Sequence, residues 1–175
     1  MRLFVAVAVG EQAGEKLASV IAAASQMGLD ASFSNPGQLH CTLAFLGEKS
    51  EKEKDAITAK LSSVRLPPFA VSCRGLGFFP SDKFARVFWA GLEGRELMEL
   101  QAQIAAALDC KDGRPFHPHV TLARLKGNNN LEKLAALARQ PNDFGPFQVG
   151  SFKLMKSELS PQGAVHSVAR EFALL

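Results

Sequence analysis

Tyrosine is absent from this sequence, and among its 175 residues there are one tryptophan, three cysteines and four histidines. The cysteines, Cys41, Cys73 and Cys110, form an odd count with no CxxC pair, which excludes a disulfide framework and a zinc ribbon. With no pairing pattern among them, free buried thiols in a reducing, cytoplasmic compartment are expected. No stretch approaches the ~20 apolar residues of a membrane-spanning helix, and no membrane role is expected. The opening MRLFVAVAVG carries a single Arg and an apolar run from Leu3 to Val9. That run is at the short limit for a signal peptide and reads better as a first strand. Charge of one sign is also scarce: 20 Lys and Arg face 17 Asp and Glu, for a net +3. This lacks the dense positive stripe of a duplex-DNA binder, yet mild basicity favours a substrate carrying phosphate.

What is present suits one globular domain spanning residues 1–175. Hydrophobic residues make up 47% of the chain, enough for a core without staples, and 14 Gly with 9 Pro argue against one long helical bundle. Leu3 to Val9 reads as a buried strand. Residues 11–28 place Leu17, Ile21 and Ala24 on one helical face and stop at Gly28. Strands follow at Ala31 to Ser34 and Leu39 to Leu46, with a turn at Asn35-Pro36-Gly37 between them. Ser50 caps a helix that Pro67-Pro68 ends. Phe69 to Leu76 and Ala85 to Leu92 suit an antiparallel pair. Residues 95–108 carry a Leu97, Leu100, Ile104, Leu108 stripe. His119 to Leu125 is a strand and Leu131 to Arg139 a short helix. Phe147 to Met155 and Val165 to Phe172 close the chain as strands, joined by a turn at Pro161-Gln162-Gly163. Many links between strands are too short for parallel crossovers. The expected class is α+β, with antiparallel sheets and helices packed outside.

One feature stands out. Residues 40–46 read HCTLAFL and residues 119–125 read HVTLARL, matching at five of seven positions. A chain with four His and three Thr has spent two of each on this pattern. Strand alternation puts His40, Thr42 and Ala44 on one face, and His119, Thr121 and Ala123 on one face of the second copy. The intervening apolar residues would pack against helices, so the His/Thr faces would line something open. Imidazole titrates near pH ~6.5, so one ring can act as base while the other acts as acid. Thr hydroxyls and backbone N–H groups can hold anionic oxygens. Base, acid and anion cradle are the parts needed for displacement at phosphorus, and a cyclic phosphodiester suits them best. A metal needs three or four ligands with outer carboxylates. His117 and His119 share a face by parity, but no Asp, Glu or Cys stands beside either motif at ligand spacing. No metal and no cofactor are expected.

Two HxTL motifs about 80 residues apart resemble the signature of the two-histidine (2H) phosphoesterase superfamily. The flanking FSNPGQLHCTLAFLGE and FHPHVTLAR, with RLFVAV, ARVFWAGL and LMKSELSPQGAVHSV, resemble its RNA 2′,3′-cyclic phosphodiesterases, also known as 2′-5′ RNA ligases. The resemblance implies a bilobal, pseudo-two-fold fold around a central cleft; a monomer is expected, though not from any residue pattern. It implies RNA ends or nucleotides bearing 2′,3′-cyclic phosphate as partners, a 2′-phosphomonoester as product, and a reverse ligating activity on 2′-5′ joints. It implies His40 as proton donor to the leaving oxygen, His119 as the base that activates water, and Thr42, Thr121 and Arg124 as phosphate ligands. The family often carries Trp where Phe33 stands and Tyr where His166 stands. Strict alternation puts Arg124 on the face opposite His119 and Thr121, so it reaches the cleft only through a bulge, a twist or a wrapped side chain. His117 is read as shaping the loop before Pro118 or as an outer partner of the site, and His166 as structural. Phe4 and Phe33 are either core residues or base-stacking rings. Two other functions use the same residues: a non-catalytic nucleotide-binding module, and a phosphodiesterase for small substrates such as ADP-ribose 1″,2″-cyclic phosphate.

Overall fold

A computed structural model of the protein describes residues 1–110, 113–161 and 163–175. In chain order its elements are β1 (Arg2–Ala8), α1 (Glu11–Ser25), β2 (Ala31–Phe33), a 3-10 turn (Pro36–Gln38), β3 (His40–Glu48), α2 (Glu51–Leu61), β4 (Phe69–Phe79) and β5 (Val87–Glu93). Then come α3 (Arg95–Ala107), β6 (His119–Leu125), α4 (Leu131–Ala138), β7 (Asp143–Val149), β8 (Ser151–Ser160) and β9 (Gly163–Ala173). The strands form a four-stranded sheet in the order β3-β1-β8-β9 and a five-stranded sheet in the order β2-β6-β5-β4-β7. All pairings are antiparallel. The class is the α+β one that the short connections require.

Local chemistry sets the helices. Ala13, Leu17, Ile21 and Ala24 are the buried face of α1, at the three- and four-residue spacings of one helical stripe. Gly28 turns the chain away beyond its end in the left-handed region, at φ 69°. Ser50 and Glu53 form a reciprocal capping box at the start of α2, with Ser50 N–H donating to Glu53 Oε2 at 2.8 Å. Leu97, Leu100 and Ile104 are the buried stripe of α3. Gly10 lets the chain enter α1 hard against β7, since a Cβ there would stand 2.5 Å from Phe147 Cβ. The two long helices cross over: α1 follows a strand of the first sheet but packs on β7 and β6 of the second. Likewise α3 follows β5 of the second sheet and packs on β3 of the first, where Gln101 Nε2 donates to Leu43 O at 3.4 Å. The order strand, helix, motif strand therefore occurs twice, as β1-α1-β3 and β5-α3-β6.

The repetition extends to irregularities. On β1, Val5 faces Ala44 and Ala6 faces Thr42, leaving Leu43 of β3 unmatched. On β5, Phe88 faces Ala123 and Trp89 faces Thr121, leaving Leu122 of β6 unmatched. The Leu of each HxTL motif is thus the extra residue of a β-bulge, and the bulge changes the phase of the strand after it. In β6, Leu122 and Ala123 are both buried in the core, and Arg124 turns to the face shared by His119 and Thr121. A strictly alternating strand would have put Arg124 on the core side.

Two expectations change. Phe147 to Met155 is not one strand. The chain leaves the five-stranded sheet at Val149 and enters the four-stranded sheet at Ser151. Phe147 and Val149 are buried before the crossing, and Phe152 and Leu154 after it, so the alternation changes phase at Gly150. Cys110 is half-buried, while Cys41 and Cys73 are buried, and all three are free thiols. The expected turn at Pro161-Gln162-Gly163 includes Gln162, which lies outside the described residues. No helix among the described residues is long and apolar enough to cross a membrane.

Packing and capping should separate cleanly in stability measurements. Leu17 is fully buried, and Leu17→Ala should lower the unfolding free energy by about 2–5 kcal/mol. Ser50→Ala should remove only about 1 kcal/mol. Urea titration of both variants checks this, and equal losses would contradict the assignment of the core.

Candidate active site

The two motif strands come together where the sheets meet. The buried Cys41 thiol lies within hydrogen-bonding reach of the His119 backbone, which joins the start of β3 to the start of β6. Burial pushes that thiol up to about 12, so it is an inert packing group and no nucleophile. On the other face of the same strands, His40, Thr42, His119 and Thr121 are all half-buried and open to the cleft. Among the described residues neither Thr side-chain hydroxyl has a hydrogen-bond partner.

Both imidazoles are held in the same way. His40 Nδ1–H donates to Gln38 O at 2.7 Å, and His119 Nδ1–H donates to His117 O at 2.7 Å. A carbonyl oxygen can only accept, so the shared proton sits on Nδ1 in each ring. Nε2 is then the working nitrogen of both: an acceptor in the neutral ring and a donor in the protonated one. The segment between β2 and β3 serves both motifs. Ser34 N–H donates to Leu122 O at 2.9 Å and Ser34 Oγ–H to Thr121 O at 2.7 Å. Four residues on, Gln38 orients His40 and also donates from Nε2 to His166 O at 3.1 Å, which ties in β9. Asn35 caps the turn between them by accepting from Gly37 N–H at 2.9 Å.

The charges acting on these rings are positive. Burial is the main cause that lowers His40 below its ordinary value, with His166 and Arg124 adding to it against the Gln38 bond. His119 is lowered first by burial, then by His117, Arg124 and His40, against its bond to the His117 carbonyl. His166 is lowered by burial and by Arg124. Arg124 therefore stands in electrostatic reach of all three imidazoles. Burial and the Arg124 guanidinium thus favour the neutral form of these rings, and that cation suits the cleft to an anion.

Aromatic rings flank each imidazole. His40 lies 5.2 Å from Phe4 and 5.4 Å from His166, between ring centroids. His119 lies 4.9 Å from Phe79, which in turn packs on Trp89 and His117. His166, read from the sequence as structural, is therefore a cleft residue. The His117 carbonyl orients His119, and the His117 ring packs on Phe79 and Trp89. Phe4 is 4% exposed beneath the first cluster, and Phe33 packs against the core. Phe79 and Trp89 had no assigned role in the sequence. Trp89 faces Thr121 across the sheet, and only strand pairing reveals it. Among the described residues no three His, Cys, Asp or Glu side chains converge as a metal-ligand set.

Known proteins resemble this chain in sequence and in fold. The profile of the 2′-5′ RNA ligase superfamily matches residues 13–161. The chain is 35% identical to the RNA 2′,3′-cyclic phosphodiesterase of Archaeoglobus fulgidus, over 98% of this chain and 99% of that one. It is 39% identical to the enzyme of the same name from Aeropyrum pernix, over 75% and 80%. A crystal structure of a Thermus thermophilus protein superposes with a TM-score of 0.84 at 32% identity, covering 99% and 98% of the two chains. Escherichia coli LigT complexed with 3′-AMP superposes with a TM-score of 0.80 at 26% identity, covering 99% and 97%. The doubled strand-helix-strand unit, the paired imidazoles and these likenesses lead to one conclusion: the chain belongs to the 2′-5′ RNA ligase superfamily and has the 2H phosphoesterase fold.

Proposed function

We propose that this protein opens 2′,3′-cyclic phosphodiesters at RNA ends to 2′-phosphomonoesters, with His40 and His119 as proton donor and base. The observation that carries the reading is the matched tethering of the two rings, which leaves Nε2 of each free beside Arg124. The names of the relatives from Archaeoglobus fulgidus and Aeropyrum pernix support the substrate. The division of roles follows the family resemblance. Neutral His119 accepts a proton from water at Nε2 as the water oxygen bonds to phosphorus. The bond from phosphorus to O3′ breaks, and protonated His40 delivers its Nε2 proton to O3′. Phosphorus keeps O2′, so the product is the 2′-phosphate with a free 3′-hydroxyl. Arg124, Thr42 and Thr121 hold the non-bridging oxygens, where negative charge rises in the transition state. A 5′-hydroxyl in place of water yields a 2′-5′ joint by the same proton transfers.

His40→Ala and His119→Ala should each lower kcat on a nucleoside 2′,3′-cyclic phosphate by about 10²–10⁴-fold. Turnover should persist in EDTA, with the 2′-phosphate as the product seen by chromatography. Full activity in either variant removes that residue from the mechanism.

The pH profile follows from the sign of the shifts. Both imidazoles of the free enzyme titrate below the ordinary value of about 6.5. Activity needs one ring neutral and one protonated, so kcat/KM should be bell-shaped with both limbs below that value. A bound phosphodiester anion favours the protonated ring, so the alkaline limb of kcat should lie at higher pH than that of kcat/KM. Coincident alkaline limbs would contradict this account.

A further inference from the structure

The cleft holds more aromatic surface than hydrolysis uses. In an in-line displacement the incoming and departing oxygens lie on opposite sides of phosphorus. The nucleoside of the cyclic ester occupies the departing side, which belongs to His40. Water fills the incoming side, at His119, and needs no wall to hold it. Yet three rings pack there. Phe79 and Trp89 are 5.0 Å apart, Trp89 and His117 4.9 Å, and Phe79 and His117 5.2 Å, with Phe79 4.9 Å from His119. Phe79 and Trp89 are half-buried and His117 is exposed, so the cluster is part of the cleft surface.

The backbone is shaped to admit this wall. Trp89 pairs with Thr121 on one side and with Gly77 on the other. Its indole lies over Gly77, where a Cβ would stand 2.4 Å from Cζ2. The pseudo-symmetric position in the other half, Ala6 opposite Thr42, carries only a methyl group. An indole facing the motif Thr is therefore peculiar to the His119 side, while Phe4 and His166 are the rings beside His40. Trp89 Nε1–H is buried without a partner among the described residues, so no hydrogen bond explains the ring.

We propose that Phe79, Trp89 and His117 form the subsite for the base of a second nucleoside, whose 5′-hydroxyl takes the place of water at His119. The inference rests on the proposed role of His119 as base. The O5′ proton passes to His119 Nε2, the bond from O5′ to phosphorus forms and the bond from phosphorus to O3′ breaks. His40 delivers its proton to O3′, which leaves a 2′-5′ linkage. The reverse path cleaves that linkage to the cyclic ester and the free 5′-hydroxyl. Stacking on the wall positions the second nucleoside and favours dinucleotide over mononucleotide substrates.

Trp89 is the only tryptophan in a chain without tyrosine, so intrinsic emission reports on this wall alone. Three probes would be titrated into the wild-type protein: inorganic phosphate, 2′-AMP, and a 2′-5′-linked diadenosine lacking the 3′-hydroxyl beside the linkage, which cannot be cleaved. The diadenosine should quench Trp89 saturably and bind roughly 5- to 150-fold more tightly than 2′-AMP. Phosphate and 2′-AMP should leave the emission nearly unchanged. Trp89→Leu and Phe79→Leu should each shrink the affinity ratio of diadenosine to 2′-AMP, measured by calorimetry. Unchanged emission with the diadenosine overturns the proposal. So does quenching by 2′-AMP of equal depth, which would put the cyclic nucleoside itself on the wall. Hydrolysis of a cyclic mononucleotide is assayed separately. Its absence in the wild type would defeat the proposed function whatever the emission shows.

Discussion

A histidine ring has two nitrogens, and this cleft depends on which of them the backbone claims. Two carbonyls, of Gln38 and His117, each take the Nδ1 proton of the histidine two residues further on. That single repeated bond sets the tautomer, aims the ring and leaves Nε2 to the ligand. Were either bond reversed or absent, two imidazoles would still be near each other, but neither would have a defined nitrogen to offer. The rest of the site is arranged around this constraint. Ser34 and Gln38, in one short segment, anchor the second motif strand and orient the first ring. Arg124 supplies a permanent charge in reach of both rings.

The doubled fold makes that pairing reliable. Each half supplies a strand, a helix and a motif strand, and each motif strand bulges at the Leu after the Thr. The bulge lets one short strand meet two demands. Before it, alternation keeps Val120 and Leu122 in the core and His119 and Thr121 in the cleft. After it, the changed phase keeps Ala123 in the core and returns Arg124 to the cleft. The same device in the first half turns Phe45 outward, where it is 77% exposed. The halves are thus alike in backbone and different in chemistry: a guanidinium follows one motif and a phenyl ring the other. Exchange of α1 and α3 between the sheets ties the halves into one core, so the cleft cannot open without unpacking buried Leu and Ile side chains.

Much of this could be read from the residues. The repeated HxTLAxL text predicted two like strands, and side-chain parity predicted that His and Thr would share a face. Helix caps and stripes were legible because they depend on neighbours a few residues away, as with Ser50 and Glu53. What escaped depends on pairing between distant strands. A bulge is a mismatch in register, so the position of Arg124 could be stated only as a condition. Trp89 became a cleft residue because it faces Thr121, and His166 because Gln38 binds its carbonyl from a residue far away in the chain. The split of Phe147 to Met155 was present as a change of phase at Gly150, but an unbroken apolar run hides such a change until the two sheets are seen.

Nitrogen-15 NMR of the histidine side chains tests the central claim most directly. With 2′-AMP added near pH 7, His40 and His119 should both appear with Nδ1 protonated, and one titration should shift the Nε2 signals of both together. A ring with Nδ1 unprotonated, or one whose Nε2 ignores the ligand, would contradict the account.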